Sequence, residues 1–149
     1  MKEYKKRVCS FRIVKDYHPE IGTAKITKSA NIAEYIRPFF GAEIEVFEQM
    51  FLIPLNQGNN IVSVTKISQG GISGTVVDIR LVAKYALDGL ATSIILVHNH
   101  PSGSSTPSPN DKAITNKVKE AMKLLDITLL DHLIVTKDGY CSFADERIM

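Results

Sequence analysis

Apolar and polar positions along this chain change rhythm several times, and each change predicts an element. Residues 94–97, Ile-Ile-Leu-Val, form an unbroken apolar run of strand length, the pattern of a strand buried on both faces. Before it, Ile79, Val82, Ala83, Ala86 and Leu90 recur at helical spacing, and Thr75 with Asp78 reads as a capping box for that helix. After it, Ile114, Val118, Ala121 and Leu125 make a second helical stripe. Ser108 is placed to cap this second helix, with Pro109 at its first position and Asp111 at its third.

The flanks are read the same way. Residues 8–17 suggest a short strand, broken by His18-Pro19, with His18 in a surface loop. A helix starts near Ser29, capped by Ser29 or Asn31, with Ile32, Tyr35 and Ile36 on one face and Pro38 ending or kinking it. Residues 47–55 and 61–67 read as strands joined by the turn-forming 56–60 segment, hence a hairpin. Gln69-Gly70-Gly71 is a second turn, and strands near 127–136 and 140–143 close the chain through Lys137-Asp138-Gly139. Strand–helix–strand order requires crossovers and some parallel pairing, so helices pack on a sheet. Such sheets place ligands at the carboxyl ends of strands.

Length and composition narrow the class. A chain of 149 residues with 44% hydrophobic and 23% charged residues suits one soluble domain, taken as 1–149, with residues 1–25 as an N-terminal strand arm and 26–149 as the core. A net charge of +2 gives no strong nucleic-acid footprint, and the basic cluster MKEYKKR reads as a solvated terminus. No apolar run approaches the ~20 residues that cross a bilayer, and no signal-peptide pattern follows the charged N-terminus. The expected location is cytoplasmic. Cys9 and Cys141 stand alone without a CxxC, which excludes a cysteine zinc site and suits buried small hydrophobes in a reducing compartment.

The chemistry sits where the apolar run ends. His98-Asn99-His100-Pro101, then Ser108 and Asp111, reads H-x-H-P-x6-S-x2-D. In an extended chain, positions i and i+2 point to the same side, so two imidazoles can aim at one point. Asp111 adds a carboxylate held at a helix start. Two nitrogens and one oxygen with an open position is the pattern of a catalytic zinc site rather than a closed structural one. Ser108 can cap its helix or point its hydroxyl at a substrate oxygen; Pro101 and Gly103 let the loop turn back tightly. Hydrolysis also needs a general base. Glu48 is best placed by pattern, with Glu43 and Glu45 as close rivals that spacing does not separate. Asp131-His132 lies inside an apolar strand, and either residue can support the ligands by a hydrogen bond. The favoured reading puts them on opposite sides of the strand in structural roles.

The stretch HNHPSGSSTPSPND resembles the signature of the RadC-type branch of the JAMM (JAB/MPN) metalloprotease superfamily. Glu48 followed by an apolar strand to Asn56, the segment ISQGGISGTVVD and the C-terminal LLDHLIVTKDGYCSFAD agree with it, so the resemblance covers residues 26–149. It implies a three-layer α/β/α sandwich with a mixed central sheet, related to the cytidine deaminase fold. It implies that His98, His100 and Asp111 bind one zinc ion, with water as fourth ligand. It further implies that Glu48 is the acid/base, that Ser108 steadies the oxyanion, and that the substrate is a peptide or protein cleaved at a peptide or isopeptide bond. Only about 25 residues precede the core, so the helix-hairpin-helix region of longer RadC relatives is not expected here. Asn99 stands where eukaryotic isopeptidase members usually have Ser or Thr, which marks the RadC branch.

A competing reading is an accessory module for DNA repair or mobile elements that binds without catalysis. Near-neutral charge and 7% aromatic residues count against it. A zinc deaminase is excluded because its PCxxC ligands are missing. The string His-Asn-His is not an HNH nuclease, whose ligands are spread over a ββα unit.

Overall fold

The computed structural model describes residues 25–70 and 76–149. The expected strand at 8–17, His18, Cys9, Gly71 and Thr75 lie outside the described residues. The elements run α1 (Ser29–Phe40), a 3-10 turn (Gly41–Glu45), β1 (Gln49–Leu55), β2 (Thr65–Gln69), α2 (Ile79–Asp88), β3 (Ser93–Asn99), α3 (Pro109–Lys123), β4 (Thr128–Val135) and β5 (Tyr140–Ser142). The strands form one mixed sheet in the order β2-β1-β3-β4-β5. Only β3–β4 is parallel, because α3 carries the chain back between them; the other neighbours are antiparallel.

Alternation along the strands divides the core into two layers. On one face Phe51, Ile53, Leu55, Ile95, Val97, Leu133 and Val135 pack against Ile32, Ile36 and Phe40 of α1. On the other, Met50, Leu52, Ile94, Leu96 and Leu129 pack against Val82 and Ala86 of α2 and Val118 and Met122 of α3. The result is the expected α/β/α sandwich. All seven residues of β3 are buried. Burial of a Leu, Ile or Val side chain stabilises by about 1.5–3 kcal/mol each, so β3, like the equally buried β1 beside it, anchors the sheet. Among the described residues no helix is long and apolar enough to cross a membrane.

Several element ends differ from expectation. The cap of α1 is Lys28, without a side-chain hydrogen bond, rather than Ser29 or Asn31. Pro38 lies inside α1; it and Glu34, whose carbonyl would have accepted its missing N–H, are exposed, so water can serve that carbonyl. The helix ends instead at Gly41, whose φ of +59° suits a residue without Cβ. Asp78 is itself the cap of α2, accepting from the Arg80 N–H, and not the third residue of a box begun by Thr75. Leu90 and Leu125 fall beyond their helices and are exposed. The buried face of α3 is Asp111, Thr115, Val118 and Met122.

Candidate metal centre

The end of β3 and the start of α3 build the site. His98 is fully buried in the strand, and His100 follows one residue beyond it. As the i, i+2 rule requires, their side chains share a side: the two Nε2 atoms are 3.0 Å apart. The loop then folds back at Gly103, whose φ is +83° and whose N–H donates to the His100 carbonyl at 3.0 Å. His100 Nδ1 lies 2.8 Å from the Ser104 carbonyl. A carbonyl only accepts, so Nδ1 carries the hydrogen and Nε2 is turned toward the site.

Asp111 arrives from the first turn of α3. Ser108 and Asp111 form a reciprocal capping box: the Asp111 N–H donates to Ser108 Oγ at 3.1 Å, and the Ser108 N–H donates to Asp111 Oδ2 at 2.7 Å. That box aims the carboxylate. Oδ1 lies 3.1 Å from His98 Nε2, and Oδ2 lies 3.3 Å from His100 Nε2. One donor atom from each of His98, His100 and Asp111 therefore falls within 4.8 Å of the others. Three convergent N, N and O donors fit a divalent cation with an open coordination position.

Charge in this cluster is strongly coupled. Burial opposes ionisation of Asp111, but the hydrogen bonds from His100, His98 and Ser108 outweigh it and hold the carboxyl well below the usual carboxylate range. The bond to Asp111 raises His100 above the ordinary imidazole value against the effect of burial; Ser104 and the charge of Glu48 add to the rise.

The three acidic candidates separate clearly. Glu43 Oε2 accepts from Gln49 Nε2 at 2.8 Å, and the exposed Glu45 pairs with Lys137 at 3.6 Å. Glu48 is half-buried and its field reaches His100. The antiparallel register pairs Met50 with His98, and Glu48 immediately precedes β1 at the end of the sheet that carries the histidines. Alternation from Met50 puts Glu48 on the α3 side of the sheet.

His132 corrects the sequence reading. Asp131 is structural as expected: its carboxylate accepts from Ser142 Oγ, the Ala144 N–H and the His132 N–H, tying β4 to the C-terminal segment. His132 instead touches the site. Its Nε2 lies 2.8 Å from His98 Nδ1, and its Nδ1 lies 2.6 Å from Thr115 Oγ1. Burial, with the charge of His98, pushes the His132 imidazole well below its usual value. The physical reason is a register irregularity. Ile94 pairs with Leu129 but Ile95 pairs with Asp131, so Leu130 is an extra residue in β4. The bulge lets Leu129 and His132, three apart, both face α3. Thr115 and His132 carry no motif; a polar residue one helical turn after Asp111 on the same face is the only signal for Thr115.

A groove between α2 and α3 is lined by Val77, Ile79, Asn110, Ile114 and Lys117. None of the three converging donors lines it, and its apolar walls offer no comparable chemistry. Cys141, half-buried in β5, is in no disulfide; burial pushes its thiol up.

The chain has clear relatives among known proteins. The profile of the RadC-like JAB domain family matches residues 26–148. A UPF0758 protein of Flavobacterium johnsoniae is 47% identical over 124 residues, covering 83% of this chain and 53% of the relative. One of Porphyromonas gingivalis is 47% identical over 103 residues, 68% of this chain and 45% of the relative. One of Neisseria meningitidis is 40% identical over 119 residues, 79% and 52% respectively. The chain thus spans about half the length of these curated relatives.

Proposed function

This chain belongs to the RadC-like JAB domain family, and on that premise we propose that it is a zinc-dependent hydrolase of peptide or isopeptide bonds. The observation that carries the proposal is the convergence of His98, His100 and Asp111 on one point. His98 and His100 would hold the ion through Nε2, and Asp111 through a carboxylate oxygen. A zinc ion so held supplies Lewis acidity and brings the pKa of water down to about 7.

The remaining roles fall to the chain's own groups. Glu48, just before β1 at the same end of the sheet, takes a proton from the attacking water and delivers it to the departing amine. Ser108 accepts the Asp111 N–H at the cap, a bond that does not use its own O–H. That O–H, which also bonds the Asp111 carboxylate, would turn to the carbonyl oxygen as negative charge develops there. The set contains no thiol and no hydroxyl paired with a histidine base as nucleophile, so no covalent acyl-enzyme is expected. The substrate is a peptide or a protein, and a net charge of +2 gives no strong nucleic-acid signal.

The test is cleavage of a broad peptide and isopeptide library by zinc-loaded protein beside Glu48→Gln. Cleavage by the wild type alone supports the proposal. Equal cleavage by both points to another base or a contaminant. No cleavage by either makes the domain a binding module.

A further inference from the structure

Behind the site a buried polar chain runs from Thr115 through His132 to His98, and its hydrogen positions can be counted. All three residues are buried. Thr115 has one hydroxyl hydrogen. Its Oγ1 lies 2.6 Å from the Asp111 carbonyl oxygen, which only accepts, so the hydrogen points there. The same Oγ1 lies 2.6 Å from His132 Nδ1 and can only accept from it, so His132 Nδ1 carries a hydrogen. His132 has no anionic hydrogen-bond partner, and burying an uncompensated charge is costly, so the ring is neutral and Nε2 bears a lone pair. That Nε2 sits 2.8 Å from His98 Nδ1, which must donate. When the His98 ring is neutral, its Nε2 therefore carries the lone pair, facing His100 and Asp111.

We propose that Thr115 and His132 are positioning residues that lock His98 in the tautomer whose Nε2 can bind a metal ion. The inference rests on the reading of His98 as a ligand. A ligating histidine usually gives its second N–H to a carboxylate, a backbone carbonyl or water. Here the acceptor is a neutral imidazole, which by itself could present either nitrogen form. The direction is imposed by the Thr115 hydroxyl on the Asp111 carbonyl. The helix that supplies the carboxylate ligand therefore also orients a histidine ligand.

The test uses the full chain with its histidines labelled with 15N. Long-range 1H–15N spectra of the metal-free protein at mildly alkaline pH read each tautomer directly. His98 and His132 should both carry hydrogen on Nδ1. Thr115→Val removes the acceptor at constant shape, and Thr115→Ser keeps it. Zinc titration should show affinity about 10- to 100-fold weaker in Thr115→Val, with Thr115→Ser restoring it to within a few-fold of wild type. A hydrogen on Nε2 of His98 in the wild type would overturn the proposal. So would a folded Thr115→Val that binds zinc as tightly as wild type. A wild type that binds no zinc would instead strike at the ligand reading, while the tautomers remain readable in that same protein.

Discussion

Asn99 grips the backbone on both sides of Glu48. Its Oδ1 accepts from the Gln49 N–H at 2.7 Å, and its Nδ2 donates to the Phe47 carbonyl at 2.8 Å and the Ile44 carbonyl at 2.7 Å. The residue between the two histidines thus faces the other way and braces the segment that carries the candidate base. One strand end positions both halves of the site.

Asn99→Ala removes a fully buried side chain and leaves three backbone groups without it. We expect a loss of about 2–4 kcal/mol in denaturant unfolding. We also expect zinc binding to survive while turnover falls, because the ligands keep their own supports. Parallel loss of zinc affinity would show that Asn99 acts on the histidines instead.

Glu48→Gln preserves size and removes the proton acceptor. Turnover should fall by about 10²- to 10⁴-fold, with zinc affinity near wild type by titration. Glu43→Gln and Glu45→Gln serve as controls and should retain activity, since Glu43 is engaged with Gln49 and Glu45 with Lys137.

Ser108→Ala should cost about 1 kcal/mol as a lost helix cap. Its backbone N–H still donates to Asp111 Oδ2, so zinc should remain bound. Turnover should drop by a further factor of about 10²–10³, the usual effect of deleting one oxyanion donor. A stability loss with unchanged turnover would reduce Ser108 to a cap.

In the metal-free protein the cluster sets a pH window. His100 is raised on folding, so its contribution is present below the ordinary imidazole pKa and lost as pH rises through the raised value. Asp111 is lowered, so its contribution is present above the ordinary carboxyl pKa and lost as pH falls toward its depressed value. Thermal scans should show both limbs in the wild type, and Asp111→Asn should flatten both. Bound zinc should oppose the alkaline limb, because metal replaces the proton shared by these groups.

Much of this site was legible because its geometry is local. The i, i+2 histidines need only a strand, and the Ser108–Asp111 box needs only a helix start; the family resemblance singled out Glu48. What escaped depended on tertiary context. Plain alternation puts Leu129 and His132 on opposite faces, and only the extra residue Leu130 brings them to one. Hydropathy found Ile114, which packs half-buried against the core, but not the polar Asp111 and Thr115, which are buried because they serve the site. Pro38 read as ending or kinking the helix, yet α1 runs on to Phe40 because an exposed final turn tolerates it.

The central claim is that His98, His100 and Asp111 form a metal-binding unit, and zinc titration calorimetry of the purified full chain tests it most directly. Wild type should bind one ion per chain, and His100→Ala, with its fold verified, should lose that site. Absence of binding by folded wild type, or equal binding by His100→Ala, would contradict the account.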